Sequence, residues 1–198
     1  MLSINKIDGI LLAGGSSNRL GKPKQLIIWH GKFLINHMID TIHNGGVDNL
    51  HVVLGYRFDD IRQIIQDKTI NIINNVNWKS GMSSSINAGI TSLEKDVMGA
   101  FIFVVDQPFL NEVLIRKMVA IFKVGEAEIV APRVNFRQCN PVLFHKKVFK
   151  DLLLIHGDKG GKMLLSKRCT HWVDWDDERL LLDIDTTQDY LFAERNSG

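Results

Sequence analysis

Five short runs, residues 7–12, 50–54, 70–73, 100–105 and 128–131, are largely apolar throughout and do not alternate. A strand that is apolar on both faces must be covered on both faces, the condition of a parallel sheet enclosed by helices. The intervals between the runs carry apolar residues three and four apart. Leu34, Met38, Ile39 and Ile42 form one stripe, Ile61, Ile64 and Ile65 a second, and Val113, Ile115, Met118, Val119 and Phe122 a third. Such stripes are the buried faces of helices, and Asn44-Gly45-Gly46 closes the first. The alternation predicts βαβ units and an α/β fold: Rossmann-like, three-layered, with a mainly parallel central sheet.

The last third breaks the rhythm. Residues 140–144, 171–175 and 180–184 read as further strands, the last two close enough to pair antiparallel. A helical segment interrupted by Gly157-Asp158-Lys159-Gly160-Gly161 precedes that pair. Residues 186–194 read as a closing helix with Thr186 or Thr187 as N-cap. No linker composition, repeat or low-complexity tract interrupts the chain, so residues 1–198 are expected to form one domain.

Composition narrows the function classes. With 198 residues, 45% hydrophobic and 23% charged, the chain can bury a core, which excludes disorder and fibrous architectures. Its net charge of +2 comes without a basic block, which argues against a nucleic-acid partner. Cys139 and Cys169 stand far apart, so neither a disulfide framework nor a cysteine-rich zinc site is expected. Residues 1–8 lack the apolar stretch of a signal peptide, and no segment approaches the ~18 apolar residues of a membrane span. A cytoplasmic protein with no membrane partner is the expectation.

Ligands of open parallel sheets sit at the carboxyl ends of the strands, so the loops there carry the chemistry. Leu12-Ala13-Gly14-Gly15-Ser16-Ser17 follows the first strand, with cations at Arg19, Lys22 and Lys24. Small residues let successive backbone amides approach phosphate oxygens. The loop is not a Walker A sequence, because five residues separate Gly15 from Gly21 and Pro23 replaces the hydroxyl residue. The dinucleotide G-x-G-x-x-G spacing fails as well. Triphosphate binding explains a glycine pair with spaced cations better than a solvated turn does. Asp106 follows five consecutive apolar residues at the end of the fourth strand, a place suited to a hard cation, with an Asx-turn as the bland alternative. Asp183 and Asp185, two apart, project to one face of an extended chain, where they hold either a metal or solvent. Asp189 reads as a helix-capping residue. Ser83-Ser84-Ser85 before an amphipathic segment reads, on its own, as a helix N-cap.

Taken together, Leu12-Ala13-Gly14-Gly15-x-Ser17-x-Arg19-Leu20-Gly21-x-Pro23-Lys24-Gln25-Leu26, Gly81-Met82-Ser83-Ser84-Ser85 and Asp183-Ile184-Asp185-Thr186 resemble the motifs of MobA-like nucleotidyltransferases. The likeness is strongest to those acting on the molybdenum cofactor. The resemblance implies a nucleotide-diphospho-sugar-transferase-like fold and transfer of a nucleoside monophosphate from an NTP to molybdopterin phosphate, releasing pyrophosphate. It implies that Leu12, Ala13, Gly14, Gly15, Arg19 and Lys24 hold the nucleotide phosphates, with Asn75, Gly81 and Ser83 near the base. Arg19, Lys24 and Asp106 are then catalytic, and Asp106 and Asp185 bind Mg²⁺, with Asp183 a weaker candidate behind them. Lys22 falls outside the motif. Asn140 and Pro141 lie in a segment similar to the family's acceptor region, except that Cys139 stands where glycine is usual, a change expected to narrow the acceptor site. Residues 157–162 resemble an acceptor-side loop. Leu12-Ala13-Gly14-Gly15 is the form commoner with GTP, whereas Pro23-Lys24-Gln25 and the serine motif point to CTP; the reading favours CTP. An apo molybdenum hydroxylase is a further implied partner. Two alternatives stay open: a sugar or small alcohol phosphate as acceptor, and a non-catalytic cofactor-binding accessory protein.

Overall fold

The computed structural model describes residues 6–158 and 160–197. Residues 1–5 of the N-terminal stretch and Lys159 of the glycine-interrupted segment lie outside them. The elements run β1 (Lys6–Ala13), β2 (Ile28–Trp29), β3 (Lys32–Phe33), α1 (Leu34–Asn44), β4 (Leu50–Leu54), α2 (Phe58–Ile64), β5 (Asn71–Asn74) and α3 (Met82–Thr91). The second half follows as β6 (Val97–Val104), α4 (Glu112–Val124), β7 (Ile129–Val134), β8 (Arg137–Gln138), β9 (Val142–His145), α5 (Phe149–Leu153), β10 (Thr170–Asp174) and α6 (Thr187–Arg195).

The main sheet has the order β10-β7-β9-β6-β1-β4-β5, with β8 paired to β7. β1 lies parallel to both β4 and β6, and β4 parallel to β5. β9 enters antiparallel between β6 and β7, which makes the sheet mixed but mainly parallel. The apolar runs do cover two faces. On one, Ile7 and Leu11 of β1 and Phe101 and Phe103 of β6 pack with α1 and α4 through Ile39 and Met118. On the other, Ile10, Leu12, Ala100 and Ile102 meet Ile86 and Ile90 of α3 and Leu152 of α5. Each large apolar side chain buried this way contributes on the order of 1.5–3 kcal/mol, so the helices are held to the sheet by area. Among the described residues, no helix is long and apolar enough to cross a membrane.

Two sequence expectations need correction. Residues 180–184 do not form a strand and do not pair with β10. Asp177 accepts from the Arg179 amide at 3.0 Å and starts a short 3₁₀ turn, Glu178–Leu181. β10 instead pairs parallel with β7, and the Ile184 amide donates to the Asp106 carbonyl at 2.9 Å. The serine run does not cap α3, because the helix already begins at Met82. The Ser84 hydroxyl donates back to the Gly81 carbonyl, and the free Ser83 amide donates to the carbonyl of Gly157 at 3.0 Å. The β2–β3 hairpin was not anticipated; His30 and Gly31 turn it with positive φ angles of 47° and 78°. The closing helix does begin as expected, with Thr186 and Asp189 forming a reciprocal capping box.

The contact of α3 with β1 carries the floor of the site, and it requires Gly89. A Cβ there would stand 2.4 Å from Ile10 Cγ2 on the buried strand. Gly89→Ala therefore gains about 1 kcal/mol of helix propensity but incurs overpacking of about 1–3 kcal/mol. A net fall in the thermal unfolding midpoint is expected in calorimetry; a raised midpoint would mean the two elements separate without cost.

Candidate active site

The carboxyl ends of β1 and β6 open into a cavity of about 420 Å³, of a size for a nucleotide-scale ligand. Its upper wall is the glycine loop. Leu12, Ala13, Gly14 and Gly15 all line it, followed by Ser16, Ser17 and Arg19. Gln25 shapes this wall from behind: its buried Nε2 donates to the Ala13 carbonyl at 2.5 Å and reaches the Gly15 carbonyl at 3.4 Å. With their carbonyls held on that side, these peptides are fixed in orientation. The far end of the loop is tied down by the Lys24 amide, which donates to Ser17 Oγ at 3.2 Å.

Lys24 points into the cavity with its side chain only 11% exposed. Its ammonium donates to Asp106 Oδ2 at 2.7 Å and to Asp185 Oδ1 at 2.5 Å. Arg19, 72% exposed at the rim, donates to the other Asp185 oxygen at 2.7 Å. Burial pulls the Lys24 pKa down, but the Asp106 and Asp185 charges and hydrogen bonds outweigh it, and the net direction is up. Burial likewise acts to raise Asp185, yet Lys24 and Arg19 hold it below the ordinary carboxylate value. Asp106 lies two residues beyond β6, and Asp185 is positioned from α6. Asp189 Oδ2 accepts from the Asp185 amide at 3.1 Å and the Thr186 amide at 2.7 Å, fixing the turn that presents Asp185.

A second cavity, of about 270 Å³, adjoins the first across Met82, Val104, Asp106 and Asp158, which line both. Asn140, Lys162 and Asp183 complete its polar lining. Asp183 and Asp185 thus flank Asp106 in neighbouring cavities. Gln107 donates to Asp183 Oδ1 at 2.9 Å. The segment 157–158 crosses directly over the start of α3: a Cβ on Gly81, whose φ is +93°, would fall 2.6 Å from Asp158 Oδ1.

Several sequence-derived candidates are brought together and others are not. Gly81 lines the first cavity, but Asn75 and Ser83 stand behind it. The Asn75 amide nitrogen is spent on the hydroxyls of Ser84 and Ser85, at 2.8 and 3.0 Å. Trp78, Lys79, Met82 and Ser85 line that side in their place. Pro141 is buried outside the second cavity, while Asn140 lines it. Cys139 does not narrow either cavity, because it is buried in the core, where burial raises its pKa. Lys22 lies 5.7 Å over the Tyr190 ring, away from the site. Gln25, Gln107 and Asp158 had no assigned role in sequence, and only their contacts reveal one.

This geometry can be set beside known proteins. The model of the MobA-like NTP transferase domain matches residues 9–172. The chain belongs to the MobA-like NTP transferase family. It is accordingly a member of a nucleotidyltransferase family, and its mixed, mainly parallel sheet has the architecture of that family. Relatives include the nicotine blue oxidoreductase of Paenarthrobacter nicotinovorans, 27% identical, with 92% of this chain and 93% of that protein covered. A probable molybdenum cofactor guanylyltransferase of Geobacillus sp. (strain WCH70) is 24% identical, covering 94% and 97%. The molybdenum cofactor cytidylyltransferase of Escherichia coli K12 is 22% identical, covering 96% and 97%. The crystal structure of Rv0371c from Mycobacterium tuberculosis superposes with a TM-score of 0.85 at 26% identity, over 95% of this chain and 96% of that one. The same protein has been solved in complex with manganese, with a TM-score of 0.83 at 24% identity over 94% and 97%.

Within this member of the MobA-like family, Asp183 has an electrostatic cost. Its carboxyl pKa is pushed up first by the enclosing walls and then by the Asp106 charge, against the Gln107 hydrogen bond and the Lys162 and Lys24 charges. A folded value above the unfolded one means that this group's stabilising contribution is complete below the ordinary aspartate value of 3.8 and is lost as pH rises through the folded value. Asp183→Asn keeps an oxygen for Gln107 and removes the charge. Its thermal midpoint at pH 7 is expected to rise slightly, since water in the open cavity screens the repulsion. The difference should vanish below pH 3.8; a lower midpoint at pH 7 would mean that the charge is paired.

Proposed function

We propose that the protein is a Mg²⁺-dependent nucleotidyltransferase that moves a nucleoside monophosphate, CMP in preference to GMP, from an NTP to the phosphate of molybdopterin or the molybdenum cofactor, releasing pyrophosphate. The observation that carries this reading is the convergence of Lys24, Asp106 and Asp185 beneath the glycine loop. The reading takes residues 1–198 as one nucleotidyltransferase domain.

The donor set fits a hard divalent cation. Asp106 and Asp185 each bring a carboxylate oxygen to within 2.7 Å of one point, now held by the Lys24 ammonium, and oxygen ligands are what Mg²⁺ and Mn²⁺ prefer. Among the described residues, no third His, Cys, Asp or Glu joins them, so the remaining ligands would come from the triphosphate and water. Manganese in the complex of Rv0371c supports a divalent metal in this scaffold. When bound, the metal would neutralise phosphate charge as a Lewis acid.

The chain's own groups supply binding and orientation. The Gly14–Ser17 amides cradle the triphosphate, and Arg19, exposed at the rim, turns from Asp185 to the phosphates. Lys24 stabilises the charge that develops as the bond to pyrophosphate breaks. Trp78 and Met82 bound the base side. The acceptor occupies the second cavity, with Asn140, Lys162 and Asp183 orienting it, and its phosphate oxygen meets the α-phosphorus across the shared wall at Asp106. One oxygen–phosphorus bond forms and one breaks, with pyrophosphate carrying away the bonding electrons. The attacking phosphate is already ionised, so no general base is needed. Pro23-Lys24-Gln25 and Gly81-Met82-Ser83-Ser84-Ser85 favour CTP, and with Cys139 turned into the core nothing at that position narrows the acceptor cavity against a pterin.

Pyrophosphate release measured with each of the four NTPs, Mg²⁺ and intact molybdenum cofactor tests the reading. Cofactor-dependent release with CTP is expected, and Asp106→Ala should lose at least about 10²-fold in turnover. Full activity in that variant would overturn the mechanism, and release with a sugar phosphate but not the pterin would reassign the acceptor.

A further inference from the structure

We infer that Lys24 acts as a built-in counter-cation that keeps a free divalent ion out of the Asp106–Asp185 pair, so that metal enters only together with the triphosphate. This rests on the metal-site reading above. The Lys24 ammonium lies between the two carboxylates, 2.7 Å from one and 2.5 Å from the other, and is shielded from water by the loop above it. Arg19 takes the second oxygen of Asp185 at 2.7 Å. Both oxygens of Asp185 and one of Asp106 are therefore already held by cations.

A divalent ion arriving alone must break charge-assisted hydrogen bonds to reach those oxygens. It must then remain beside an ammonium of like charge in a partly enclosed cavity, where repulsion is stronger than in open water. It also finds only two protein carboxylates there among the described residues. Charge balance points the same way. Lys24 and Arg19 match Asp106 and Asp185, so a lone divalent ion leaves the cluster strongly positive, whereas an anionic metal–triphosphate does not. The triphosphate brings oxygen ligands for the metal and gives both cations a new partner in the glycine loop. Lys24 thereby sets the order in which the site fills, in addition to any part it plays in transfer.

Equilibrium dialysis of Mn²⁺ against the protein, without nucleotide, tests this. Lys24→Gln, which keeps an N–H donor between the carboxylates, and Lys24→Met should each retain Mn²⁺ at least about tenfold more tightly than the unsubstituted protein. Lys22→Ala removes a cation of the same loop outside the site and should leave retention unchanged. Circular dichroism establishes that each variant is folded; if Lys24→Met is not, Lys24→Gln alone decides. With inorganic tripolyphosphate added, the unsubstituted protein should retain Mn²⁺. Equal retention by Lys24→Gln and the unsubstituted protein without phosphate would overturn the inference while leaving the metal site standing. No retention by any of them, even with tripolyphosphate, would overturn the metal site and the inference with it.

Discussion

A single ammonium between two carboxylates joins three stretches of chain that are otherwise remote. Lys24 lies 82 residues from Asp106 and 161 from Asp185, and its side chain bridges both. Without it, two partly exposed acidic groups would face one another across the cavity with their repulsion uncompensated. The pairing also defines a pH window. The contribution from raising Lys24 is complete below the ordinary lysine value and is lost as pH rises through the folded one. The contribution from lowering Asp185 is complete above the ordinary carboxylate value and is lost as pH falls through the folded one. Between those limits the cluster is electrically balanced and the glycine loop is anchored over it.

The sheet makes this balance a matter of geometry. β1 and β6 are neighbours and parallel, so the loops that follow them, carrying the glycine pair and Asp106, emerge at the same edge. Residues 183–185 arrive there through the Ile184 amide bond to the Asp106 carbonyl, and the Asp189 cap fixes their direction. The second cavity is lined by β9, Asp158 and residues 160–162, yet it shares a wall with the first. The Ser83–Gly157 hydrogen bond and the close approach of Gly81 to Asp158 tie residues 157–158 to the first cavity. Movement of either wall is therefore felt in both cavities.

What could be read from the sequence was local. The apolar runs of β1, β4 and β6 and the stripes of α1 and, apart from the exposed Val113, α4 declared themselves because each is a pattern within one element. The position of the glycine loop on the first cavity was legible because small residues that follow a buried strand directly leave the backbone open to a ligand. Residues 180–184 misled because the apolar run Leu180-Leu181-Leu182, with Ile184 after it, reads as a short strand, whereas the partner that captures Ile184 lies on the Asp106 loop. The serine run misled for a similar reason: the group that caps α3 is a carbonyl at Gly157, far along the chain. Gln25, Gln107 and Asp158 look like ordinary polar residues, and their importance depends wholly on remote contacts. Asn75 shows the converse, a motif residue whose amide is consumed in bracing the serines.

The late position of Asp185 in the chain has a consequence for biosynthesis. A growing polypeptide contains Lys24 and the glycine loop first and Asp106 next, and the second carboxylate and its anchoring helix emerge only after all the strands of the sheet. Until α6 has formed, Lys24 has one acidic partner and the turn that presents Asp185 has no cap. The charged cluster of the first cavity is therefore completed only after the last strand of the sheet has emerged.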